Sequence, residues 1–167
     1  MKENLPLQLI VSKQHWLKRD LLIFEGNLQV GKIEFTGRLR MNAVATILDE
    51  RWKITQSGFW RSFLQFSASD HPFTKIKVQP GFTGKLEWKG SDGKTYFFRK
   101  IKWWKNTWAW YDENENAVIE IRPDHSFSSK QAYITISNKN LADFRLMTLI
   151  GICIYKIQTA RAAAAAT

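Results

Sequence analysis

The chain has one cysteine, Cys153, so no intrachain disulfide holds it together. Cys153 stands in the most apolar part of the chain, where a thiol behaves as a small hydrophobe. Histidine is equally scarce. His15, His71 and His125 lie far apart, no two at metal-ligand spacing, and with a single thiol no zinc pattern can be written. Proline occurs four times and no Gly/Ser-rich linker interrupts the chain, so nothing marks a domain boundary. Acidic residues number 15 against 25 lysines and arginines, which excludes an acidic or near-neutral protein. No apolar run reaches the roughly 20 residues that a membrane-spanning helix needs. The N-terminus, Met1-Lys2-Glu3-Asn4 followed by an alternating segment, has neither the solid apolar block nor the small-residue cleavage site of a signal peptide. The expectation is a cytoplasmic protein, peripheral at any membrane it meets.

What is present is mostly β pattern. Leu5, Leu7, Leu9 and Val11 alternate with Pro6, Gln8, Ile10 and Ser12, as in a strand with one buried face. Gly26-Asn27 between Leu21–Phe24 and Leu28–Phe35 is a two-residue hairpin signal, and Gly31 marks a change of phase that a bulge would produce. Further strands are expected over Leu39–Leu48, Arg51–Gln56, Phe59–Phe66, Thr74–Gln79, Lys85–Lys89, Thr95–Lys105, Thr107–Tyr111, Ala117–Arg122 and Phe127–Ser137. Asp49-Glu50, Ser57-Gly58, Pro80-Gly81, Ser91-Asp92-Gly93 and Asp112–Asn116 separate many of them. Loops this short join antiparallel neighbours.

Helical pattern appears only from Leu141 to about Ala160. Its middle (Leu146, Met147, Leu149, Ile150, Ile152, Cys153, Ile154, Tyr155) is apolar on every side, so it must be enclosed. Asn138–Asn140 are expected to cap it, with Asp143 in its first turn. The predicted fold is a mainly β, closed antiparallel barrel of about twelve strands around this apolar C-terminal helix. It would form one domain over residues 1–160, followed by an alanine-rich tail over 161–167.

That order of elements resembles the tubby C-terminal-like superfamily, which includes the tubby domain, the phospholipid scramblases and the LURP-one-related proteins. The unit Trp108-Ala109-Trp110-Tyr111-Asp112 followed by Ala117-Val118-Ile119-Glu120-Ile121 looks like the meander of the LURP-one group. The resemblance spans Leu5 to Gln158. It implies a binding or membrane-associated role, without the cysteine-rich and calcium-binding segments of scramblases.

No pattern for catalysis stands out. Asp112, Glu113 and Glu115 share a loop but lack the glycine and ligand order of a calcium loop. Pro80–Lys85 contains a Gly-Lys pair without phosphate-loop spacing, and no nucleophile elbow is visible. The chain therefore reads as a non-enzymatic module without a metal or other cofactor. Its cations are more telling. Arg38 with Arg40, Arg51 with Lys53, and Lys75 with Lys77 are same-side pairs on strands. Arg99, Lys100, Lys102 and Lys105 are interleaved with Phe97, Phe98, Trp103 and Trp104. In an unbroken strand, one ring of each adjacent aromatic pair must leave the core side. The expected site uses Lys75, Lys77, Arg99, Lys100 and Lys102 as phosphate contacts, with Trp103 and Trp104 at a membrane interface. The expected partners are anionic lipid head groups. A nucleic-acid ligand and an intracellular protein scaffold are the alternatives.

Overall fold

Twelve strands and one helix account for nearly all regular structure in a computed structural model that describes residues 5–15, 18–36, 41–58, 63–71, 75–81, 83–102, 104–125 and 129–167. The strands are β1 (Leu7–Lys13), β2 (Leu21–Glu25), β3 (Leu28–Phe35), β4 (Asn42–Ile47), β5 (Glu50–Ser57), β6 (Phe63–Ala68), β7 (Lys75–Val78), β8 (Leu86–Lys89), β9 (Thr95–Lys100), β10 (Trp108–Tyr111), β11 (Ala117–Pro123) and β12 (Lys130–Ile136); α1 is Phe144–Ala165. They form one sheet in the order β7-β6-β5-β4-β3-β2-β1-β12-β11-β10-β9-β8. Chain neighbours pair antiparallel, as the short connections require. The mainly antiparallel class, the strand count and the C-terminal helix all match the sequence expectation.

The contacts divide the chain into two compact units. One comprises Met1–Gln8, Pro80–Pro123 and Tyr133–Thr167; the other comprises Leu9–Gln79 and Asp124–Ala132. In the second unit, β2 to β7 form a meander with one face buried. Ile23, Ile33, Ala45, Ile54 and Phe66 all lie on that face, fully shielded. A bulge interrupts the β2–β3 ladder, because Ile23 opposes Gly31 whereas Phe24 opposes Gln29, leaving Val30 extra. Gly31 is required beside it: a Cβ there would stand 2.6 Å from the Thr46 carbonyl oxygen, which is fixed backbone.

The β4–β5 hairpin is locally unfavourable. Its two loop residues, Leu48 and Asp49, both have left-handed backbone (φ 45° and 71°), the conformation that such hairpins usually give to Asn-Gly. Leucine tolerates it poorly. Replacing the pair by Asn-Gly is expected to stabilise the protein by about 1 kcal/mol, read as a higher denaturant midpoint at unchanged slope.

In the first unit, α1 lies against β10 and β11. Residues Leu146 to Ile154 are buried without a break, so every face of the helix is covered over two and a half turns. The helix begins later than the sequence suggests, at Phe144 instead of Leu141, and runs on through the alanines to Ala165. Its N-cap is Asp143, in left-handed backbone and without a side-chain cap bond. The carboxylate of Asp143 instead accepts the Ser91 N–H at 2.6 Å, and Asn138 accepts the Asn140 N–H in the preceding turn. Capping by Asn138–Asn140 is thus corrected: the link to the β8–β9 turn fixes where the helix starts.

Candidate functional site

β9 carries most of the candidate residues, and its register decides where each one points. Tyr96 and Phe98 face the core, and Phe97 stands on the outer face. This is the split that an unbroken strand forces on adjacent rings. Beneath the sheet, Phe98 stacks on Trp108 at 5.4 Å between ring centroids and packs against Trp110 at 5.1 Å. Trp88 meets Trp110 edge-on at 6.2 Å. The Trp110 indole N–H donates to the Met147 carbonyl of α1 at 2.9 Å. Gly151, one turn along α1, permits this approach, since a Cβ there would meet the Ile121 methyl at 2.7 Å. Phe98, Trp108 and Trp110 are core, not ligand platforms, and Trp88 is half-buried at their edge.

The strand stops at Lys100, five residues short of the expected end. Lys100 already pairs with Trp108 across the ladder, so the seven residues between them must reverse the chain. The Ile101 N–H donates to the Thr107 carbonyl, and the Lys105 N–H donates to the Lys102 carbonyl at 3.1 Å, closing a turn. Lys102, Trp104 and Lys105 therefore stand at a hairpin end and not on a strand face. Trp104 is 61% exposed, which is unusual for so large a ring, and Lys102 Nζ lies 5.3 Å over it. Lys100 Nζ lies 5.5 Å over the Trp108 ring. From Lys100 to Thr107 there is no acidic residue. Trp103 lies outside the described residues, as do Arg38 and Arg40.

The remaining candidates are placed elsewhere. Arg99 sits on the outer face, paired with the Glu115 carboxylate and 4.5 Å over the Tyr111 ring, so its charge is largely answered within the protein. Beside it, a shallow depression of about 230 Å³ is lined by Lys85, Leu86, Glu87, Phe97, Phe98 and Arg99. Two cations, Lys85 and Arg99, and one acid, Glu87, line it. Lys75 and Lys77 are on β7, in the other unit, with Lys77 Nζ 3.9 Å over the Phe63 ring. Lys105, read above as one cation of a continuous strand and not among the expected phosphate contacts, joins the site through this turn. The signal for it is the charge counted over the whole turn instead of along one strand face.

The opposite end of β9 is acidic. Asp92 in the β8–β9 turn accepts the Tyr96 hydroxyl at 2.8 Å and the Lys94 N–H at 3.0 Å. Glu113 accepts the Thr95 N–H at 2.9 Å. Asp112 accepts the N–H groups of Asn114 and Asn116 at 2.9 and 2.8 Å. Burial pushes the Tyr96 phenol up, reinforced by its bond to Asp92 and by the charges of Asp92, Asp112 and Asp143. The Tyr96 hydroxyl in turn holds the Asp92 carboxyl below its ordinary value. Burial works against the Asp112 charge, but the Asn116 and Asn114 hydrogen bonds outweigh it and its carboxyl is also lowered. Both groups stabilise the fold when ionised. That stability is complete above the unfolded value of 3.8 and is lost as pH falls through the lower folded values. The melting temperature is expected to drop below about pH 4, and Asp92→Asn with Asp112→Asn should flatten that drop while lowering stability at neutral pH. An equally steep acid transition in the double variant would contradict this.

Among the described residues, no three His, Cys, Asp or Glu side chains are grouped to hold a metal ion, and no helix is long and apolar enough to cross a membrane. Comparison with protein-family models, curated proteins and solved structures gives no match.

Proposed function

We propose that the protein is a non-enzymatic module that binds anionic phospholipid head groups at a membrane surface. The observation that carries this reading is the β9–β10 hairpin end, where an exposed Trp104 stands among Lys100, Lys102 and Lys105 with no acid between them. The pairing of ring and cation suits the head-group layer. Tryptophan settles where one side is apolar and the other wet, while each nearby lysine contributes about 1 kcal/mol of attraction to an anionic surface. The net charge of +10 favours the same partner at longer range. The resemblance of the element order to the tubby C-terminal-like superfamily points the same way and is part of the proposal. So is a location at the cytoplasmic face of a membrane.

Co-sedimentation with neutral, phosphatidylserine and phosphoinositide vesicles, at low and high salt, tests it. Binding is expected only to the anionic vesicles and should weaken with salt. Lys100→Glu with Lys102→Glu should reduce it by at least about 25-fold, at roughly 1 kcal/mol for each charge removed. No sedimentation at low salt would refute the reading. Salt-dependent binding of single-stranded nucleic acid in its place would redirect the assignment.

A further inference from the structure

The first unit has two chemically different ends, and α1 connects them. At one end the Asp143 carboxylate joins the start of the helix to Ser91, close to Asp92, Asp112 and Glu113. Lys94 acts on both Asp92 and Asp112, and Lys139 and Arg145 flank Asp143 in sequence. The helix then runs the length of the unit. At the other end, a Cβ at Gly84, whose φ is +81°, would meet the Trp108 ring at 2.7 Å and Gln158 of the helix at 3.0 Å. Trp108 pairs with Lys100, so α1 emerges beside the root of the β9–β10 hairpin. From Ala160 onward the helix is exposed. The segment Ala160–Ala165 extends about 9 Å further along the axis and carries one charge, that of Arg161.

Resting on the head-group reading above, we propose that this unit docks end-on against an anionic bilayer. The β9–β10 hairpin end and the projecting end of α1 together form the foot, and the acidic end points into water. Charge complementarity sets this polarity. Lys100, Lys102, Lys105 and Arg161 meet the lipid phosphates, whereas turning the molecule over would press Asp92, Asp112, Glu113 and Asp143 against like charge. Trp104 enters the head-group layer from the hairpin. The alanine turns enter beside it, with small side chains that cost little to desolvate and an arginine long enough to reach the phosphates.

Two labelling sites decide the orientation. Cys153 is buried and its thiol is pushed up to about 12, chiefly by desolvation, so a thiol-reactive dye goes to an introduced surface cysteine. Ala163→Cys and Asn114→Cys each receive an environment-sensitive dye. Each labelled protein is mixed with phosphatidylcholine–phosphatidylserine vesicles carrying nitroxide-labelled lipid, and co-sedimentation is followed in the same samples. The expected result is sedimentation of both, with blue-shifted and quenched emission at position 163 and unchanged emission at position 114. Sedimentation with quenching at 114, or at neither position, would overturn the end-on orientation and leave the head-group reading standing. Absence of sedimentation would overturn both.

Discussion

A chain ended at Asn140 is expected to show no cooperative thermal transition and to bind a hydrophobic dye at room temperature. The truncation removes α1, and with it the burial of Leu146, Met147, Leu149, Ile150, Ile152 and Ile154, each of which is almost wholly shielded. Burying a side chain of this size contributes roughly 1.5–3 kcal/mol. Six of them together match the entire net stability of a typical domain, about 5–15 kcal/mol. The sheet side is uncovered as well. Trp110, Phe98 and Ile121, which pack around Gly151, would face water over a continuous apolar patch. Near-ultraviolet circular dichroism, sensitive to the packed tryptophans, checks the loss directly. A truncated chain that melted sharply with a native-like aromatic spectrum would show that the helix is dispensable to the sheet.

The second large effect is expected at Trp110. This ring is fully buried, touches Trp88 and Phe98, and donates to the helix backbone. Trp110→Ala should cost about 3–5 kcal/mol, because the cavity it leaves is walled by a rigid sheet and a helix that cannot both close in. The change lowers the melting temperature by about 10 °C at roughly 2–4 °C per kcal/mol. Trp110→Phe separates packing from hydrogen bonding. It keeps an aromatic ring but removes the N–H that the Met147 carbonyl accepts, and should cost about 1–3 kcal/mol. Urea denaturation of both variants gives the comparison. Equal losses in the two would mean that the hydrogen bond, and not the volume, dominates.

Much of this architecture can be read from residue order, and the reasons are local. Leu7, Leu9 and Val11 alternate because one face of β1 is buried, and Gly26-Asn27 makes the β2–β3 turn with Gly26 at φ 60°. The apolar girth of Leu146–Ile154 announces enclosure whatever encloses it. Where the reading failed, the deciding force came from elsewhere in the chain. Nothing in Thr95–Lys105 says that the strand ends at Lys100; pairing of Lys100 with Trp108 does. The extended reading put Lys102 and Trp104 on strand faces, whereas the turn gathers Lys102, Trp104 and Lys105 at one tip. The helix start was misplaced for a similar reason. Asp143 looks like a residue of the first turn until Ser91, 52 positions earlier, claims its carboxylate. Arg99 looked available for phosphate because its partner, Glu115, lies beyond the next strand.

The placement of α1 after all twelve strands also bears on how the protein is made. Synthesis delivers β10 and β11 before the helix they pack against exists. Until Phe144 to Ile154 have emerged, Trp108, Trp110 and Phe98 lack the helix that shields them, and strand edges lie open to other chains. At roughly 5–20 residues per second, that interval lasts seconds, long compared with hydrophobic collapse. The nascent chain is thus a natural client for a chaperone that holds apolar surface. Once the helix is made, the bond from Ser91 holds its start and the close packing at Gly151 fixes the face it presents to the sheet.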